Sequence, residues 1–136
     1  YLFLLRTDKE RRYEDFLNLN PEFHVMDWPE LISRLESQLI WAIVKMYRIN
    51  RKINILPARS VWYNFSQHLI SKSIKLFSKY SHIVTSRLHG HILACLMGVP
   101  NTLLDNSYSK NKMYYKTWTF RIPYASFKRD IGEVVT

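Results

Sequence analysis

The stretch 81–105, SHIVTSRLHGHILACLMGVPNTLLD, reads as strand, helix, strand. SHIVTS (81–86) reads as a short strand, and NTLLD (101–105) as a further, buried one. Between them lies a greasy helical segment that stops at Gly98, with Pro100 just beyond, where a helix is expected to stop. Arg87 and His89 stand at the mouth of that segment. A fixed cation and a titratable ring at the opening of a buried helix call for an explanation.

Working outward, the same alternation continues. YLFLLR (1–6) predicts a buried parallel strand, TDKERRYEDFLN a turn and helix, and EFHVMD (22–27) a second short strand. Asp27, Pro29 and Glu30 suit a helix start, since proline fits the first turn and acids favour the positive end. That helix is expected to run to about Tyr47, with Leu31, Leu35, Leu39 and Met46 on its inner face, flanked by Ile32 and Ile43. NRKINILPAR (50–59) reads as a basic linker. A further helix is expected over Val61 to Tyr80, burying Phe65, Leu69, Ile70, Ile74, Leu76 and Phe77. Strands alternating with helices give an α/β fold, a Rossmann-like parallel sheet with helices on both faces.

Length and composition fit one domain. The chain has 136 residues, 47% hydrophobic and 15% aromatic, which supports one core and is short for two ordinary domains. Three glycines and five prolines exclude a low-complexity chain. The single Cys95 lies in the apolar run, so no disulfide framework is expected, and a reducing, cytoplasmic setting fits. LIWAIVKM is far short of the ~20 apolar residues that a spanning helix needs. The chain opens on Tyr1 within a strand-like run, as a piece of something longer would.

The net charge of +9 is unevenly spread. Residues 1–30 carry four basic and seven acidic side chains, residues 31–80 nine and one, and residues 81–136 seven and three. Lys72, Lys75 and Lys79 share a side of their helix, read as a solvated face; contact with an anionic membrane, at the inner face of the cell membrane, is the other reading. His24, His68 and His82 show no metal-ligand spacing with one another or with an acidic partner, and His91 is assigned a structural role.

In an open parallel sheet, ligands bind outside the carboxyl ends of the strands, often against helix N-termini. Arg6, Arg87 with His89, and Asp105 with Asn106 all follow strand ends. Free N–H groups at a helix start attract anions. Gly90 would let a ligand approach closely, Arg87 could fork onto a carboxylate or phosphate, and His89 could move a proton near neutral pH. The mouth of the helix thus reads as an anion site.

Taken with LLDNSYSKNKMYYKTWT (103–119), this stretch resembles the polysaccharide pyruvyl transferases. The matching features are an R-L-H-G-H helix start, a small-residue helix ending in G-[VI]-P, and D-N-S-Y-x-K-N before an aromatic segment ending in T-W. LLRTDKE (4–10) is similar to an R-x-D-x-E stretch of the same family. Ser109 departs from it, standing where many members have glycine, which tolerates a positive φ that serine does not.

The resemblance implies two Rossmann-like domains across a cleft, similar to GT-B glycosyltransferases, with residues 1–136 as the C-terminal, donor-binding domain. It implies transfer of pyruvyl from phosphoenolpyruvate to sugar hydroxyls as a ketal, in exopolysaccharide or cell-surface glycan synthesis, on a free or lipid-linked sugar. Arg87 and Arg6 would hold the donor's anionic groups, the backbone around Leu88–Gly90 assisting, and Lys110 would steady the leaving phosphate. His89 would be the general acid or base. Asp105 would orient His89 or bind acceptor, Asn106 and Tyr108 would hydrogen-bond in the pocket wall, and Trp118 would be a sugar platform or a core residue. No metal or further cofactor is required. The alternatives are a nucleotide-sugar-binding GT-B donor domain and a basic nucleic-acid-binding module. The first lacks a ribose-gripping acid around Glu133, and the second leaves both motifs without a purpose.

Overall fold

Five parallel strands in the order β2-β1-β3-β4-β5 form the sheet of this computed structural model, which describes residues 1–6, 23–53, 57–106 and 108–135. They are β1 (Leu2–Leu4), β2 (His24–Met26), β3 (Ile83–Thr85), β4 (Asn101–Leu104) and β5 (Ala125–Lys128). The helices are α1 (Trp28–Leu31), α2 (Arg34–Ile53), α3 (Ala58–Phe77), α4 (Leu88–Met97), α5 (Lys110–Tyr114) and α6 (Gly132–Val135), with a π-helical turn at Tyr115–Thr119. The parallel α/β, Rossmann-like architecture expected from the sequence is present, with four strands where the apolar runs put them. The helix expected after Arg6 lies outside the described residues.

The chain's contacts separate two units: Tyr1–Asp27 with Leu76–Thr136, and Trp28–Lys75. In the first, strand alternation sorts side chains between two faces. Phe3, Leu5, Val84 and Leu104 pack with Ile131 on one face, joined by Phe23 and Val134. On the other, Leu4 pairs in register with Thr85, and Thr85 with Leu103. Helix α4 lies on this face: a Cβ at Gly90 would come 2.7 Å from Leu4 Cδ2 and 3.1 Å from Thr85 Oγ1. The room at Gly90 is therefore taken by the protein's own strands rather than held open for a ligand. The helix ends as expected, on Gly98 in the left-handed region at φ 70°, whose neighbour Val99 donates its N–H to Ala94.

His91, on the same helix, is fully buried. Its Nδ1 lies 2.6 Å from Asn101 Oδ1, an atom that can only accept, so Nδ1 carries the proton. Nε2 then accepts from the Thr119 hydroxyl at 2.9 Å. Burial lowers the ring's pKa, partly offset by the Asn101 bond, which leaves it a neutral structural histidine.

The unit Trp28–Lys75 departs from its expected form. The helix does not run unbroken from Pro29: α1 ends at Leu31, and α2 starts afresh at Arg34 and continues to Ile53, into the first residues of the expected linker. The restart is a capping box, in which Ser33 N–H donates to Glu36 Oε2 at 2.7 Å and Glu36 N–H to Ser33 Oγ at 3.3 Å. The inner face turns with it. Leu35 and Leu39 are 72% and 52% exposed, whereas Glu36 and Ile43 are buried. Glu36 goes inward because it meets α3, with His68 Nε2 and Lys72 Nζ each 2.7 Å from its oxygens. Those bonds, with the capping N–H of Ser33, lower the Glu36 pKa. Two expectations are corrected here: Lys72 is an ion-pair partner rather than part of a solvated stripe, and His68 has an acidic neighbour. On α3, Ile70 and Ile74 are exposed rather than buried.

Candidate functional site

The chain leaves β1 for β2 on one side and returns to β3 on the other, so the strand order reverses between β1 and β3. Open sheets of this kind bind ligands outside the strand ends at that reversal. Three adjacent strand ends meet there. Arg6 follows β1 and its N–H donates to Ser86 Oγ at 3.3 Å. Arg87 follows β3, and its N–H donates to Thr85 Oγ1 at 2.9 Å while that hydroxyl donates to Leu4 carbonyl at 2.8 Å. Asp27 follows β2, is 1% exposed, and takes the Arg87 side chain in a fork: Nε to Oδ1 at 2.9 Å and Nη2 to Oδ2 at 2.5 Å.

Arg87 also occupies the N-cap position of α4 and offers no side-chain acceptor to the helix. The N–H groups of Leu88, His89 and Gly90 belong to the first turn, where no intrahelical acceptor exists. His89 is exposed there. Gly90 contributes tight packing beneath, and its backbone rather than its missing side chain faces the helix mouth.

The loop after β4 holds the second group of expected residues. Asp105 Oδ1 accepts from the backbone N–H of Asn106 at 3.0 Å and of Lys112 at 3.2 Å, so this oxygen folds its own loop. Asn106 Oδ1 accepts the Lys110 N–H at 2.8 Å. Lys110 is exposed and Tyr108 is 87% exposed. Ser109 takes φ 52°, the left-handed conformation that glycine adopts without strain and serine does not. Trp118 sits on the π-helical turn at 71% exposure, which removes the core reading for it.

Two residues that sequence reasoning passed over hold these parts in place. Asn111 is 2% exposed and its amide donates to the carbonyls of Ser86 (2.9 Å) and Leu104 (2.8 Å), clipping the ends of β3 and β4 together. It is the last residue of the D-N-S-Y-x-K-N stretch, so the signal was in view. Asp27 suits a helix start by sequence, but it directly follows β2, whose last residue Met26 is buried, and that carboxylate after a strand end is the available clue. Among the described residues no group of three or more His, Cys, Asp or Glu is placed to hold a metal ion, and no helix is long and apolar enough to cross a membrane.

Residues 5–108 match the model of the polysaccharide pyruvyl transferase family. The chain belongs to that family. A Bacillus subtilis (strain 168) protein named "Putative pyruvyl transferase EpsO" is 37% identical to it over 123 residues. That alignment takes in 90% of this chain and 38% of the relative, so the chain spans well under half of the relative's length. No solved structure matches it. The family match takes in Arg6, Asp27, Arg87, His89, Asp105, Asn106 and Tyr108, and ends before Lys110, Asn111 and Trp118.

Proposed function

We propose that the protein containing this chain transfers the pyruvyl group of phosphoenolpyruvate to two hydroxyls of a glycan sugar, and that residues 1–136 form the donor-binding domain. The observation that carries this reading is Arg87, seated with Arg6 where the strand order reverses, in a chain of the pyruvyl transferase family. Phosphoenolpyruvate brings a carboxylate and a phosphate. A guanidinium fork and a helix N-terminus are the groups that bind such anions.

In the proposed reaction C3 of the enol gains a proton, which makes C2 electrophilic. One sugar oxygen bonds to C2, the C2–O bond to phosphate breaks, and a second sugar oxygen closes the ketal. The two hydroxyl protons balance the one taken by C3 and the one leaving with phosphate. His89, exposed at the helix mouth, is proposed to move a proton as acid or as base. Arg87 and Arg6 hold the donor, Lys110 steadies the departing phosphate, and Asn106 and Tyr108 line the acceptor side. Asp105 serves through the loop that it folds, and Trp118, exposed and aromatic, offers a face for a sugar ring.

The family membership favours this reading over a nucleotide-sugar donor domain. Calorimetric titration of phosphoenolpyruvate into the full-length protein tests it. Arg87→Ala is expected to weaken binding severely, and His89→Ala to keep binding while losing turnover. A full-length protein that ignores phosphoenolpyruvate but binds a nucleotide sugar would overturn the proposal. Residues 1–136 alone are expected to show little or no turnover, and robust pyruvylation by them would contradict the division of labour.

A further inference from the structure

We infer that Asp27 is a positioning residue for the donor site, holding Arg87 by one edge of its guanidinium so that the other edge is presented to the ligand. Asp27 and Arg87 follow β2 and β3, the two strands that flank β1 in the sheet. The fork between them therefore bridges the end of β1, just past which Arg6 stands. Asp27 is nearly inaccessible at 1% side-chain exposure, while Arg87 keeps 25%. The carboxylate is the fixed partner and the guanidinium the reachable one.

The atoms used matter. A guanidinium has five N–H donors in a plane, and Asp27 takes the edge formed by Nε and Nη2. The edge formed by Nη1 and the second Nη2 proton can still make a two-point bond to a carboxylate or phosphate. An unpaired arginine on this loop would sample many rotamers and lose that freedom on binding. One already clamped has lost it on folding.

Simple electrostatics predicts the opposite sign. A carboxylate beside the guanidinium reduces the local positive potential and should weaken an anion site. Neutralising Asp27 thus separates the two accounts. If Asp27 matters only as charge, Asp27→Asn tightens anion binding; if it positions Arg87, Asp27→Asn weakens it. The asparagine keeps the shape but turns two N–H donors toward the guanidinium's own donors, and the fork opens.

The test uses the full-length protein, with phosphoenolpyruvate titrated into the wild type, Asp27→Asn, Arg87→Ala and the double variant, at a temperature where urea titration shows each to be folded. Asp27→Asn is expected to weaken binding about tenfold or more and to raise KM for phosphoenolpyruvate while leaving KM for the acceptor unchanged. The double variant should bind no more weakly than Arg87→Ala alone, because the two act as one unit. Binding in Asp27→Asn that is tighter than wild type, or within about twofold of it, overturns the inference, as does additivity in the double variant. A measurement on the wild type covers the case in which the variant does not fold. The Nε–H of Arg87 should give a resolved nitrogen–proton signal that exchanges slowly with water, and a signal exchanging like that of free arginine removes the clamp. The ligand's identity alone rests on the pyruvyl-transfer reading. Should the wild type ignore phosphoenolpyruvate, that reading fails and inorganic phosphate decides for Asp27. Weaker phosphate binding by Asp27→Asn keeps the inference; equal, tighter or absent binding in both proteins removes it.

Discussion

Replacing Asn111 tests how the two halves of the site are joined. Its amide nitrogen gives both protons to backbone carbonyls, Ser86 at 2.9 Å and Leu104 at 2.8 Å, in a place only 2% exposed. Asn111→Ala removes two hydrogen bonds worth about 1 kcal/mol each net, and leaves two buried carbonyls without that donor. The expected loss is about 2–4 kcal/mol. Asn111→Asp keeps the shape but sets carboxylate oxygens against two carbonyl oxygens, and its loss should be about 3–5 kcal/mol at neutral pH. Acid should reduce that second deficit, because a protonated carboxyl regains one donor. Urea unfolding followed by circular dichroism measures both, with the slope against denaturant unchanged if only stability has moved. A wild-type-like midpoint in Asn111→Asp at pH 7 would refute the clip, since no repacking supplies two donors to those carbonyls.

Three other outcomes are expected. Ser109→Gly should stabilise the chain by roughly 0.5–1 kcal/mol, because φ 52° is costly for serine and its hydroxyl caps nothing; an unchanged midpoint in urea would count against this. Gly90→Ala should destabilise by about 1 kcal/mol, the crowding against Leu4 and Thr85 exceeding the gain in helix propensity, and a gain in stability would return Gly90 to the role of ligand space. His91 is held below its ordinary pKa by burial, so the unfolded chain binds the extra proton first. Stability should therefore fall as pH drops below about 6.5, and fall less in His91→Gln when urea midpoints at pH 7 and pH 5.5 are compared. Glu36 works in a separate window, since its lowered pKa gives stability that is lost only as pH falls below the ordinary glutamate range.

Strands β1 and β3 were legible because a strand inside a parallel sheet is buried on both faces and so is mostly apolar, as LFL and IVT are, each buried along its whole length. The end of α4 was legible because Gly98 takes the one conformation that favours glycine. What misled was polarity at buried positions. Glu36 took an inner place in α2 through three hydrogen bonds, and counting only apolar residues set that helix's face wrongly by about one position. Gly90 showed the reverse error, a small residue read as space when a distant strand fills it. At the site, residue types that bind anions were visible, but Asp27 and Asn111 act through partners 60 and 25 residues away, and no local pattern announces such pairs. Strand β5 was missed because ASFK is short and only its first residue is buried.

The sheet also sets an order of events for the nascent chain. Strand β1 pairs with β3 across 81 residues of sequence, as Leu2 with Ile83, and everything in between must be made before the centre of the sheet can close. The intervening Trp28–Lys75 stretch is roughly four times the dozen residues that a parallel crossover requires. Closing a flexible loop that much longer costs only about 1.2 kcal/mol more, two doublings at ~0.6 each. In equilibrium terms the insertion is nearly neutral; in kinetic terms it is the slow part, since rates fall as contacts grow more distant in sequence. Lineages can therefore lengthen or redraw this stretch with little penalty to the folded sheet, while each change is read out in how long the newly made chain waits with its central strands apart.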